Sequence, residues 1–224
     1  MRGAWQFLIV RSRTTRISRQ GGNQGRNSPR SSHDMECKVM IFGLFRGKRN
    51  ASVIERLHAD VVAAARDPVL FTDYGIADTI DGRFESIALH AALAMRRLKQ
   101  LPPPAPEIAQ DLADAIFRHF DAGLREMGVS DTGVPRRMRD FAEAFLGRAN
   151  AYNEALAQPG AVRHAALAAS LSRNVFADTR DGEHLARYAE RSDEALAQMS
   201  LADFLKGPIF RVEAAANFRE VCDE

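Results

Sequence analysis

The sequence predicts an all-α fold: a single-domain bundle of about six to seven helices behind a disordered N-terminal tail. Three observations predict it. Apolar residues recur at offsets of three and four through most of residues 50–208. No stretch alternates apolar and polar with period two, the mark of a half-buried strand. The periodic segments are separated by Pro and Gly, at Asp67-Pro68, the LPPPAP run 101–106, Gly128, Pro159-Gly160 and Gly207-Pro208.

The richest stretch, Phe71 to Leu98, passes from an Asp-, Gly- and Thr-rich lead-in to one strongly apolar helix. Phe84, Ile87, Ala88, Ala91, Ala92, Met95 and Leu98 form one face, and Leu89 with Leu93 form a second. A helix apolar over more than half its circumference belongs at the centre of a bundle.

With 224 residues, 46% of them apolar and 27% charged, the chain has globular composition. No run reaches the ~20 apolar residues that span a bilayer. The net charge of +2 hides an asymmetry, because residues 1–40 hold eight Arg or Lys against Asp34 and Glu36. The remainder is net acidic, which argues against nucleic acid as a partner. Cys37 and Cys222 have no CxxC or His-rich spacing around them, so neither a disulfide scaffold nor a zinc site is indicated.

Residues 1–39 are basic and rich in Gly and Ser, too poor in apolar groups to offset the entropy of ordering. A transit peptide fits them; a start assigned too far upstream, with Met40 the true beginning, fits better. Over 40–49, Phe42, Leu44 and Phe45 beside Arg46 suit either a membrane interface or packing on the bundle.

Asn50 is placed to cap a first helix, Ala51 to Arg66, which Asp67-Pro68 ends. Residues 69–80 are irregular, and Asp78 or Asp81 caps the central helix, which runs to about Gln100. A stiff connector, 101–106, precedes a helix from Glu107 to Met127 with Ile108, Leu112, Ala115, Ile116, Phe120 and Met127 inward and Gly128 at C′. Pro135 suits the first position of a helix to about Ala157, with Met138, Phe141, Phe145, Tyr152 and Leu156 inward. Further helices span Ala161 to Phe176 and Glu183 to Met199. Ser200 with Asp203 forms a capping box for a short last helix, and 209–224 is a C-terminal tail.

Catalytic signatures are missing from the sequence. Glu55-x-x-His58 is one carboxylate–histidine pair of di-iron spacing, and Asp181-x-x-His184 is a poor second. His90 and His119 read as buried, hydrogen-bonded histidines in preference to haem or metal ligands. No nucleophile elbow or phosphate-binding loop occurs. The expectation is a protein that is not an enzyme, with no metal and no cofactor. Arg136, Arg137 and Arg139 make a compact basic patch, either a solvated face or a contact for acidic groups or lipid phosphates.

The residues DPVLFTDYGIADTIDGRFESIALHAALAMRRL, then GVSDTGVPRRMRDFAEAFLGRANAYNEAL, resemble the ubiquinol–cytochrome c chaperone family, in a bacterial form. The likeness covers roughly Val53 to Leu156 and extends weakly to about Leu205. It implies a chaperone that binds newly made cytochrome b, or another bc1 subunit, during assembly of the cytochrome bc1 complex. It implies a bacterial cytoplasmic location, at the inner membrane's cytoplasmic face, or a mitochondrial one if the tail is a transit peptide. On this reading the central helix and its lead-in form a client groove, with Phe71, Tyr74 and Phe84 as contacts; the alternative is that these aromatics only fill the core. A peripheral protein that encloses a lipid or isoprenoid chain is the competing function.

Overall fold

The computed structural model describes the backbone of residues 36–210 and the side chains of residues 51–210. The chain divides into Met1–Ile41 and Phe42–Glu224, and the packing described below is that of the second unit. Eight helices occur among the described residues: α1 Glu36–Ala65, α2 Pro68–Thr72, α3 Ile80–Gln100, α4 Ala105–Glu126, α5 Val134–Leu156, α6 Gly160–Val175, α7 Glu183–Ala197 and α8 Leu201–Lys206. No strand is present among them.

Two boundaries differ from expectation. Helix α1 starts at Glu36, so Asn50 lies inside it and not at its first turn. Gly43 and Gly47 lower helix propensity but no proline interrupts 36–65, so nothing stops the helix there. The tail expected over 1–39 overlaps α1 at 36–39, and its remainder, residues 1–35, lies outside the described residues, as do 211–224. The second difference is α2. Pro68 does not merely end α1; it opens the next helix, with Asp67 as N-cap accepting from the Val69 amide at 3.1 Å.

Helix α3 is the hub and packs against α4, α5, α6 and α7. Every residue from Phe84 to Ala94 is buried, including Glu85, Ser86 and His90. Its N-cap is Thr79, whose hydroxyl accepts from the Gly82 amide at 3.1 Å. Neither aspartate considered for this role serves: Asp78 pairs with Arg83 at 2.7 Å, and Asp81 sits in the first turn, where its charge suits the helix dipole.

Around the start of α3 the core is aromatic. Phe84 stacks on Phe141 of α5 at 4.8 Å, and Phe120 of α4 lies 5.2 Å from Phe84 and 5.5 Å from Phe141. Such pairs contribute about 0.5–1.5 kcal/mol each beyond area burial. The periodic faces of α4 and α5 are buried largely as expected, except that Met127 is 49% exposed. The Schellman turn explains it. Gly128, at φ +77°, gives its amide to Arg125 and Val129 gives its amide to Leu124, turning the chain away at Met127.

Gly82 sits where the lead-in presses on the first turn of α3. A Cβ there would lie 1.9 Å from the Ala77 carbonyl oxygen, whereas one on Gly147, mid-α5, would meet nothing within 4 Å. Gly82→Ala should therefore destabilise by about 1–3 kcal/mol, and Gly147→Ala should stabilise by about 0.5–1 kcal/mol. Thermal unfolding followed by circular dichroism should show Tm moving down for the first and up for the second. Equal shifts would contradict the close approach.

Candidate functional site

The lead-in that opens α3 does not form an open groove. Tyr74 is 2% exposed and its ring lies 5.2 Å from Tyr188 of α7, while Phe84 is 5% exposed within the aromatic cluster. Both fill the core. Phe71 is half-buried. The continuous burial of Phe84 to Ala94 removes the central rod from the surface and, with it, the docking face expected there. Period-3.6 patterning marks which residues turn inward, but a doubly apolar helix reads alike whether neighbours enclose it or a client does.

The structure does hold a groove, at the other end of the Tyr74–Tyr188 contact. It has a volume of about 670 Å³ and lies between α7 and the segment that contains α8 and Pro208–Phe210. Tyr188, Ser192, Ala195 and Met199 supply one wall. Offsets of 0, 4 and 7 place Tyr188, Ser192 and Ala195 on one face of α7, and Met199 follows just past its end. Ile209 and Phe210 supply the opposite wall, with Asp203 and Lys206 also lining it. The mixture of apolar wall and few polar groups, at this volume, is typical of binding clefts.

Specific polar contacts hold that second wall. Ser200 and Asp203 form the expected capping box, with the Ser200 amide donating to Asp203 at 2.8 Å. Phe204 is fully buried beneath α8. Arg97 of α3 donates through Nε and Nη2 to the Met199 carbonyl at 3.1 and 2.7 Å. Arg56 of α1 donates to the carbonyls of Phe204 and Gly207, so two helices of the bundle satisfy the carbonyls at the ends of α8.

Behind the groove lies the most deeply buried histidine. His90 is fully buried, with Nδ1 2.7 Å from the Ser86 carbonyl and Nε2 2.7 Å from the Tyr188 hydroxyl. The carbonyl accepts, so Nδ1 carries the proton and Tyr188 donates to Nε2. Phe210 packs edge-on against the imidazole at 5.1 Å. Two groove-lining rings thus rest on one histidine, which burial pushes down to about 4.

The other residues singled out by sequence are scattered. Arg136, Arg137 and Arg139 are exposed at the start of α5 and make no ion pair among the described residues. Phe42, Leu44, Phe45 and Arg46 lie in the part of α1 whose side chains are outside the described residues. His58 stands 5.1 Å from His119, not beside a carboxylate partner, and among the described residues no group of three His, Cys, Asp or Glu is disposed to hold a metal ion. His164 on α6 is bracketed by Glu183 and Glu190 of α7 at 2.7 and 2.8 Å, whose hydrogen bonds raise its pKa. No described helix is long and apolar enough to cross a membrane.

The two histidines give stability opposite pH dependences. Above pH ~6.5 His90 is neutral folded or unfolded, but as pH falls from there to about 4 only the unfolded chain takes a proton, a loss of about 3 kcal/mol. His164, with its pKa raised, contributes below pH ~6.5 and loses that contribution as pH rises through its folded value. His90→Gln should therefore be less stable than wild type at pH 7, with the gap narrowing towards pH 4 in urea unfolding. A gap independent of pH would contradict the neutral buried imidazole.

Comparison with known proteins covers most of this structure. The family model for the ubiquinol–cytochrome C chaperone matches residues 72–212, from the lead-in through the groove. The crystal structure of the Cbp3 homolog from Brucella abortus is similar at a TM-score of 0.67 and 36% sequence identity, over 78% of this chain and 98% of that one. No curated protein matches. On the family match and the shared fold, the chain belongs to the ubiquinol–cytochrome c chaperone family.

Proposed function

We propose that this chaperone of bc1 complex assembly binds newly made cytochrome b, and that it does so through the α7–α8 groove, not along α3. The observation that carries the reading is the groove itself. It presents an open, largely apolar wall of helical spacing, framed by Asp203 and Lys206, inside the family-matched residues. An unassembled membrane subunit exposes apolar helix surface, and an amphipathic helix face laid into an apolar groove is a recurrent way to cover it. The rigid bundle behind the groove positions the walls before any client arrives, which lowers the ordering cost of binding.

The same groove weighs against the enclosed-lipid reading. A chaperone needs a face that opens to a large partner, and this volume opens to solvent between two short stretches of chain. The work proposed is binding and release, with no covalent chemistry and no cofactor. A cytoplasmic position close to the membrane suits a client inserted there, with Arg136, Arg137 and Arg139 available to meet acidic groups of the client or its lipid.

Ala195→Glu and Met199→Asp alter the groove wall at positions that are exposed and half-buried, so the fold should tolerate them. Each should leave Tm within about 4 °C of wild type, a shift worth about 1–2 kcal/mol in a chain of this size. In a strain lacking the gene, the variants should restore assembled bc1 complex poorly and enrich cytochrome b at least about ten-fold less in affinity capture, a loss of about 1.4 kcal/mol. Full restoration by both variants would remove the groove from the mechanism. Normal bc1 levels in the deletion strain would remove the function itself.

A further inference from the structure

We propose that His58 of α1 and His119 of α4 form a two-imidazole site for a transition-metal ion of the zinc, nickel or copper class. The site lies outside the α7–α8 groove and does not rest on the client reading. The two ring centroids are 5.1 Å apart and the planes are inclined by 58°, so the rings are not stacked. Two imidazoles on one tetrahedral ion, with metal–nitrogen bonds of about 2.1 Å, hold their centroids about 5 Å apart. Helices that already give this spacing need only side-chain rotation to bring one nitrogen of each ring onto a shared ion. A second observation is independent of the spacing. Nε2 of His58 is shut off from solvent and has no hydrogen-bond partner among the described residues. Buried polar atoms are ordinarily paired, and a metal ion satisfies an imidazole nitrogen through its lone pair.

The surroundings choose the ion. Burial holds both imidazoles below the ordinary histidine pKa, with His119, Arg118 and Arg66 adding to the effect at His58 and Arg66 at His119. Both rings are thus kept neutral, the form that ligates. The two arginines repel cations and Glu126 attracts them towards His119. An ion held by charge alone, such as Mg²⁺ or Ca²⁺, gains little here, whereas imidazole suits Zn²⁺, Ni²⁺ or Cu²⁺. As the side chains stand no carboxylate joins the pair. The remaining positions fall to water or, after rotation, to Glu55, which is exposed one turn before His58 in the Glu55-x-x-His58 spacing. An ion bound here ties α1 to α4 two residues from Arg56, which holds the Phe204 and Gly207 carbonyls of the groove's second wall.

Cys37 and Cys222 are the chain's two cysteines, so Cys37→Ser with Cys222→Ser leaves a full chain without thiols. Zn²⁺ titrated into that chain by calorimetry should bind. His58→Gln and His119→Gln should each weaken binding at least about ten-fold, and His184→Gln, at an exposed position on α7, should leave it unchanged. Circular dichroism without metal establishes that each variant is folded. Where one is not, the unsubstituted chain decides: substoichiometric Cu²⁺ should broaden the imidazole proton resonances of His58 and His119 before those of the other histidines. Absence of Zn²⁺ binding, binding untouched by both His58→Gln and His119→Gln, or first broadening at His164 or His184 would overturn the site.

Discussion

Three polar side chains on the buried stretch of α3 set the arrangement of everything around it. Hydrophobic burial pulls neighbours onto this helix without fixing their register, because it has no direction. Glu85, Ser86 and His90 supply the direction. Each is buried and each is satisfied by a different element: Glu85 by the guanidinium of Arg148 on α5, Ser86 by the Ala65 carbonyl at the end of α1, and His90 by Tyr188 on α7. An unsatisfied group at any of these positions would cost on the order of 1–3 kcal/mol, and more for the carboxylate. A slide of α5 or α7 by one turn would strand one of them. Burial raises the Glu85 carboxyl while Arg148 pulls it back, which makes that pair the most exacting of the three.

The consequence for function is a division of labour within the bundle. The hub is closed, and on the proposed reading the surface offered to a partner lies outward, on α7, α8 and residues 207–210. That region is tied to the hub at a few named points: Arg97 and Arg56 on backbone carbonyls, Tyr188 and Phe210 on His90. Arg97 and Arg56 grip the second wall by its backbone carbonyls, whereas Tyr188 and Phe210 are held through their rings. The ionic network of Arg96 and Arg163 with Asp193, and of His164 with Glu183 and Glu190, stiffens α7 against α3 and α6 on the side away from the groove.

Much of the fold was legible in the residues because helix periodicity and end signals are local. The stripes of α3 and α4, Gly128 as a positive-φ cap and the Ser200–Asp203 box all follow from spacing alone. Short α2 has no mark in the sequence, because Pro68 signals both an ending and a beginning, and five residues carry no periodicity. Thr79 has no local mark over Asp78 and Asp81, whose N-cap preference is the stronger, and the turn decides which of the three caps α3. The groove was not legible at all. Its wall on α7 could be seen as a stripe, but its second wall comes from residues 203–210 folded back, a tertiary fact with no local mark. Tyr74 and Phe84 illustrate the same limit from the other side: aromatics near an irregular segment look available in sequence and are core in space.

Amide hydrogen exchange of the chaperone, alone and with cytochrome b captured in detergent, tests the central claim most directly. The account predicts that amides of Phe84–Ala94 exchange only through global unfolding in both states, while residues 188–210 gain protection when the client is present. Fast exchange along α3 in the free protein, with protection appearing there on client binding, would mean that the bundle opens and that the rod itself is the docking surface.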